Sequence, residues 1–374
     1  MAASAEKSVT IVGAGIAGIT AALCLKQHSI PVKIIEKRAN ITTAGAGIQI
    51  TPNAFRVLDG LGLGERIKTS GHAVNHLSVC TGRSNTMITR MPLGTDFERT
   101  HDAPYLVLKR QALIGALYEQ AVAQDIDIQF NTKFAQKDGI IIGADGVWSS
   151  LRQQVNSVEA SFSGRTAFRC MIAANQAPKW TATNDLAMWL GGNAHFVAYP
   201  VDEKGTLNLV CVVKDKQPEK RWSTPAAPSD ILHHLKDWND EIISLVQKGE
   251  NWQRWPLYTV EPKQSWSRDN KVLIGDAAHA MVPFLAQGGA MAIEDAATLA
   301  HVIANKTNIN DAFAVYQSLR KERVTRVWNE AKANGERYHW SSMMARTRDL
   351  GLKALGGKRL QQRYNWIYEW QPPS

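Results

Sequence analysis

The chain has 374 residues, 44% of them hydrophobic and 21% charged, which supplies one large or two moderate cores and argues against bulk disorder. No apolar run approaches the roughly 18 residues of a membrane span, and residues 1–8 lack the apolar stretch of a signal peptide, so a cytoplasmic protein without stable membrane insertion is expected. The net charge of +9 is scattered and interrupted by acids, as in Arg320-Lys321-Glu322-Arg323, the pattern of solvated helix faces rather than of a nucleic-acid site. Such a field also draws in anionic nucleotides and carboxylates.

Residues 8–12 read as a short buried strand, turned by glycines into a helix reaching about Gln27, and 32–36 as the next strand, together a βαβ unit. An amphipathic helix is expected over 52–61, stopped by Gly62 and Gly64, then another helix over 106–123 and a strand over 140–144. Beyond residue 161 tryptophan and proline become frequent and alternating strands take over. Residues 195–201 and 206–213 pair across Asp202-Glu203-Lys204-Gly205 as a hairpin. A buried strand returns over 271–275, followed by long helices over 288–304 and 309–332.

The expected fold class is α/β: a Rossmann-like dinucleotide-binding domain, interrupted by a sheet-rich substrate domain, with C-terminal helices. The expected boundaries are 1–72, 103–160 and 267–340 for the first domain, 73–102 and 161–266 for the second, and 341–374 for a helical tail. Trp366 and Trp370 are expected to anchor that tail to the body. Cys24, Cys80, Cys170 and Cys211 form no close pair, so neither a zinc knuckle nor a redox pair is expected, and Cys24 reads as core. His72 and His76, four apart, suit a metal only on a helix, and no third ligand accompanies them.

The chemistry-bearing residues begin at 13–18, GAGIAG, placed between strand and helix. Gly13 permits the tight turn, Gly15 lets a pyrophosphate approach the backbone, and Gly18 allows close helix–strand packing. The helix start offers free N–H groups and a partial positive charge. Glu36 ends the second strand, where a carboxylate accepts from ribose hydroxyls. This unit alone leaves NAD and FAD open. Asp276 after a buried strand suits a ribityl or pyrophosphate group, and Gly288 and Gly289 remove side chains where a flat ring packs against a helix start. On one strand, His195 and Tyr199 project from the same face with Val197 between them, either toward a substrate or into ordinary sheet packing.

Four stretches carry a family resemblance: GAGIAG at 13–18, GAGIQITPNA at 45–54, IGADGVWSSLR at 142–152 and LIGDAAHAMVPFLAQGGAMAIEDA at 273–296. Over nearly its whole length the chain resembles the group A FAD-dependent aromatic monooxygenases of the para-hydroxybenzoate hydroxylase fold. Within them it is most similar to the salicylate hydroxylase, 3-hydroxybenzoate 6-hydroxylase and 6-hydroxynicotinate monooxygenase branch. The resemblance implies FAD held by Gly13, Gly15, Ala17, Gly18, Glu36, Lys37, Gly47, Arg110, Asp145, Asp276, Gly288 and Gly289. It gives Asp145-Gly146 a dual role toward FAD and NAD(P)H with help from Arg152, and sets His195, Tyr199 and Gln287 against the substrate, with Pro283 and Phe284 as walls.

The implied activity is hydroxylation of a small aromatic hydroxyacid, salicylate-like, through a flavin hydroperoxide, with O2 and NADH or NADPH as co-substrates and no metal. His195 or Tyr199 would withdraw a phenolic proton. A monomer or homodimer is expected. The alternatives are a hydroxylase of another ring (a quinone precursor, urate or an N-heterocycle), a flavin-binding protein without oxygenase turnover, and an NAD-dependent dehydrogenase, which leaves Asp276 unexplained. One departure stands out: residues 130–140 are short for this family, which bears on the lower FAD-domain sheet and the adenosine contacts.

Overall fold

The computed structural model describes residues 8–41, 47–135, 138–177, 185–216 and 223–373. Val9–Val12 is buried at every position and pairs in parallel with Val32–Ile35 on one side and Ile140–Gly143 on the other. A strand covered on both faces needs this unbroken run of β-branched residues. Lys271–Leu273 extends the sheet beyond Ile140–Gly143, Ser267–Arg268 closes that edge, and Asp127–Gln129 forms the other edge beside Val32–Ile35. The short 130–140 segment therefore does not prevent the sheet from closing. Asn131 and Thr132 donate to the carbonyls of Arg38 and Glu36 and hold its start in place; residues 136–137 lie outside the described ones.

The helix Ile16–Gln27 packs between this sheet and the long helix Gly288–Asn305, which in turn supports Ile309–Tyr338. Two of the differences from the expected elements lie close to the site. Residues 106–123 are not one helix: Leu106–Lys109 is a strand paired antiparallel with Gly47–Ile50, and the helix is Arg110–Ala123. A short continuous apolar run fits strand and helix equally, and here pairing across the chain decides. The helix Pro52–Gly60 does stop before Gly62, at φ +77°, but Gly64 opens a second helix, Gly64–Ser70. A Cβ on Gly64 would meet the exposed Asp59 carboxylate at 1.8 Å, so a larger residue there needs Asp59 to turn aside.

A second, eight-stranded sheet runs in the order Thr224–Pro225, Gln253–Thr259, Ser161–Ile172, Leu207–Lys214, Ala194–Pro200, Asp185–Gly191, His76–Thr81 and Met87–Pro92. Its central hairpin pairs His195 with Val212 and Tyr199 with Asn208, and Asp202 accepts from Thr206 N at 2.9 Å in the turn. Trp189, Trp238 and Trp252 form its outer core under the helices Pro228–Leu232 and Asp240–Lys248. The other face looks toward the C-terminal helices. Ser342–Gln362 packs on Met87–Pro92 and kinks at Gly356, φ +73°, and Asn365–Tyr368 follows.

The end of the chain is fixed by cations. Arg323 donates to the carbonyls of Trp366 and Ile367, Arg56 to those of Tyr368 and Trp370, and the Arg326 guanidinium lies 3.7 Å from the Trp366 ring centre. The four cysteines are free and buried, and burial pushes the Cys24 thiol up to about 12. His72 and His76 lie on two different strands, and His76 sits 3.1 Å from Asp185.

Candidate active site

The three glycine turns converge. Gly13, at φ +111°, leaves the first strand so close to the second motif that a Cβ would lie 2.5 Å from the Ala144 carbonyl oxygen. Gly18 passes the same turn from the helix side, where a Cβ would lie 1.9 Å from the Gly13 oxygen. On the other side Gly275, at φ +57°, brings the third motif against the Ala17 methyl. Gly15 faces open space: nothing lies within 4 Å of its Cβ position, and as N-cap it offers the helix no side-chain acceptor. The first-turn N–H groups and the helix dipole thus point into a groove suited to phosphate.

Carboxylates and one arginine line this groove. Glu36 is buried and accepts from Ala14 N and Arg38 N, each at 2.9 Å, which fixes its carboxylate at the strand end with a lone pair on each oxygen still free for hydroxyl donors. Lys37 beside it is exposed. Asp145 Oδ2 accepts from Ser150 N, Ser150 Oγ and Leu151 N, while its Oδ1 is buried without a partner. Asp276 is open to the groove but hemmed in by protein on its remaining sides. This surrounding mass raises its carboxyl, and His279, Arg110 and Arg152 offset part of the rise. Burial lowers the Arg110 guanidinium, and the field of Asp276 opposes that shift.

Beyond the groove, Gly47 joins the two halves of the site. Its N–H donates to Asn208 Oδ1 at 2.8 Å, and a Cβ would meet the Tyr199 ring at 2.6 Å. The uncapped start of Gly288–Asn305 lies nearby: a Cβ on Gly289 would come within 3.2 Å of Ile48, and one on Gly288 within 3.8 Å of Met281.

A cavity of about 200 Å³ lies between the second sheet, residues 283–286 and the C-terminal helices. Its walls are largely apolar, with Val197, Met188 and Leu190 from the sheet, Pro283 and Phe284 from the turn, and Leu352 from the C-terminal helix. His195 reaches it from the hairpin strand, edge-on to Phe284 and Tyr338 at 5.1 and 5.3 Å. Burial, then the positive Arg165, holds the His195 imidazole down at about 3, so the ring is neutral. A dry cavity of roughly 150 Å³ holds benzene, so this one accommodates one substituted ring.

An FAD binding domain family model matches residues 6–140 and 139–331. 3-Hydroxybenzoate 6-hydroxylase 1 of Aquipseudomonas alcaligenes is 31% identical over 97% of this chain and 98% of its own. 3-Amino-4-hydroxybenzoate 2-monooxygenase PtmB3 of Streptomyces platensis is 32% identical over 96% of this chain and 95% of its own. Among solved structures, Klebsiella pneumoniae HpxO complexed with FAD and uric acid superposes with a TM-score of 0.85 at 22% identity, covering 98% of this chain and 97% of that one. The chain belongs to the FAD-dependent aromatic monooxygenases. Its fold is that of the para-hydroxybenzoate hydroxylases, and FAD is its cofactor.

For a member of this family, three side chains sit differently from what the resemblance implies. Gln287 does not line the cavity: its amide donates to Thr51 Oγ1 at 3.1 Å and accepts from Asn53 at 3.0 Å, and the residue is 1% exposed. Arg152 donates to the carbonyls of Val147, Val158 and Ala277, stapling the second motif to the third rather than reaching into the groove. Tyr199 shares the face of His195 but packs under Gly47 among Tyr105 and Tyr368, and burial pushes its phenol up to about 12.

The sequence reading missed a buried ionic network: Arg320 reaches both Glu294 and Asp295, and Arg323 holds Glu294 through Nε at 2.8 Å. It also missed His339, whose Nε2 lies 2.8 Å from His195 Nδ1. An acidic pair inside an apolar helix followed by arginines on the next helix was the only local signal for the network. For His339 there was none.

Proposed function

We propose that the enzyme hydroxylates a single-ring aromatic acid bearing a ring hydroxyl, with NADH or NADPH as reductant. The observation that carries this reading is the small, mostly apolar cavity with one neutral histidine on its wall. The residues fit the cofactor: open space over Gly15, an uncapped helix start and the orphaned Asp145 oxygen are features a dinucleotide completes. Bound FAD supplies the electron transfer from NAD(P)H and the activation of O2.

The chain's own groups bind, orient and seal. Gly13, Gly15, Gly18 and Glu36 take the adenosine and pyrophosphate end, while Arg110, Asp145 and Asp276 take the middle. Gly288 and Gly289 give close access to a helix start whose dipole favours negative charge. Pro283, Phe284 and the sheet residues hold the ring and exclude water, which suppresses wasteful peroxide release. His195 faces the ring hydroxyl. On the cavity's lining, Arg337, Arg348 and Arg363 pair, among the described residues, with two carboxylates, Glu330 and Asp349, and this surplus cation favours an anionic substituent.

The relatives named for 3-hydroxybenzoate and 3-amino-4-hydroxybenzoate are consistent with this class. The largely apolar wall favours a benzenoid ring over the more polar urate. The test is NADH and NADPH oxidation by the FAD-loaded protein across hydroxybenzoates, hydroxynicotinates and urate, with mass analysis of product formed under 18O2. Aromatic-stimulated oxidation with one labelled oxygen in the product is expected. Flavin without such turnover across the panel would overturn the reading.

A further inference from the structure

Two histidines from distant parts of the chain meet beside the cavity. His195 comes from the strand Ala194–Pro200, and His339 follows the helix Ile309–Tyr338 as its C-cap. Their contact, Nδ1 of His195 to Nε2 of His339, is 2.8 Å, and the two residues are 3% and 2% exposed. A neutral imidazole carries one N–H and one lone pair, so one ring donates here and the other accepts.

The two remaining nitrogens decide the direction. His339 Nδ1 is buried with no hydrogen-bond partner, whereas His195 Nε2 is not among the sealed, unpartnered atoms and belongs to a residue lining the cavity. If His195 donated, the proton of His339 would sit on Nδ1 as an orphaned buried N–H, the rarest kind of unsatisfied group. In the opposite direction only a lone pair is left without a partner there.

We infer that His339 is a positioning residue whose Nε2–H donates to His195 Nδ1 and so holds the His195 proton on Nε2, facing the substrate. The pair stays neutral because of its surroundings. Burial lowers both imidazoles, His195 to about 3 and His339 to about 2, and Arg165, Lys214 and Arg348 add positive field. The nearby carboxylate, Glu336, is half-exposed and engaged by Arg165 at 2.7 Å. The rings of Phe284 and Tyr338 also flank His195.

This inference rests on the hydroxylase reading only for its catalytic consequence. A resting N–H on His195 is a donor, so it stabilises a ring hydroxyl in its ionised form, the strongest acceptor available, and does not withdraw the proton. Substrates whose hydroxyl is acidified by the rest of the ring are therefore favoured. The second-ring partner fixes which nitrogen is protonated, as hydrogen bonds to histidine generally do.

The test is a long-range proton–nitrogen correlation spectrum of FAD-loaded protein labelled with 15N-histidine, with His195 assigned by comparison with His195→Asn. The parent protein is expected to give the Nε2–H pattern for His195. His339→Leu should shift that pattern toward Nδ1–H or a mixture, and His339→Gln, which puts an amide N–H near the same place, should retain it. An Nδ1–H pattern in the parent overturns the inference even if neither variant folds, and so does an unchanged pattern in folded His339→Leu. With a turned-over hydroxyaromatic, kcat of His339→Leu should fall roughly ten- to a hundredfold, the scale seen when partners orienting metal-bound histidines are lost, with flavin content retained and His339→Gln closer to the parent. If no aromatic is turned over by any form, the hydroxylase reading fails while the tautomer result still decides the role of His339.

Discussion

Asp295 Oδ2 lies 2.5 Å from His279 Nε2 and accepts from Gly275 N at 2.9 Å, so one buried carboxylate holds both ends of the turn that carries Asp276. Burial alone would raise this carboxyl, but His279 and Arg320 outweigh it and hold it at about 2. Asp276, the acid proposed to face the cofactor, is thus positioned by a second acid that is itself fully buried. Replacing Asp295 by Ala leaves Arg320 with Glu294 as its remaining carboxylate and frees the Gly275 turn. Breaking a buried pair from one side costs roughly 3–5 kcal/mol. Urea unfolding of Asp295→Ala should show a loss of that order together with weaker FAD retention; a loss under about 1 kcal/mol would mean that the network adds little.

Stability should also fall in mild acid because of the histidine pair. His195 and His339 are held at about 3 and about 2 in the folded chain, against about 6.5 for an unfolded histidine. Between those values the unfolded state binds more protons, so unfolding becomes easier as pH drops below about 6.5. Each histidine contributes up to about 1.4 kcal/mol per pH unit in that window. Urea midpoints of parent and of His195→Asn/His339→Gln between pH 7 and 4.5 measure this. The slope should flatten in the double variant, and equal slopes would place the acid sensitivity elsewhere.

The parts of this molecule that were legible in the sequence are those set by local constraint. A glycine needed for φ +111° at Gly13, or for the close crossing at Gly18, leaves the same mark whatever surrounds it. The hairpin from Ala194 to Lys214 was legible for a similar reason, since paired apolar strands and a turn ending in Gly205 are short-range signals. Leu106–Lys109 was misread because its strand identity depends on Gly47–Ile50, far away in sequence. The Glu294–Arg320 and His195–His339 contacts join residues 26 and 144 apart, and no periodicity encodes such partners. The partners of Gln287 were illegible for a related reason: proximity to the glycines of the helix start says nothing about where its amide finds Thr51 and Asn53.

Gly15 and Gly18 should separate binding from folding. Gly15 has extended backbone, φ −91° and ψ −173°, which any residue adopts, and open space where a methyl would go. Gly15→Ala should unfold within about 0.5 kcal/mol of the parent, as substitutions without a steric conflict do, yet retain FAD poorly because the methyl occupies the phosphate's approach. In Gly18→Ala the methyl meets the Gly13 oxygen at 1.9 Å, and overpacking of this kind costs roughly 1–3 kcal/mol or more. Thermal unfolding of flavin-free protein, set beside flavin content after desalting, distinguishes the two. If Gly15→Ala bound FAD as the parent does, the groove over that glycine would not be the pyrophosphate site.

Gln287→Ala tests where that side chain acts. Its amide lies in a sealed network in which Asn53 also donates to Glu294 at 2.6 Å, so truncation leaves Thr51 and Asn53 short of partners. An unsatisfied buried polar group costs roughly 1–3 kcal/mol. The expected result is a loss of stability of that size with the aromatic substrate's KM changed less than about threefold, because the side chain does not line the cavity. Steady-state kinetics and urea unfolding on the same preparations decide it. A large rise in KM with unchanged stability would instead place Gln287 against the substrate, with the amide rotating out of its network when the ring is bound.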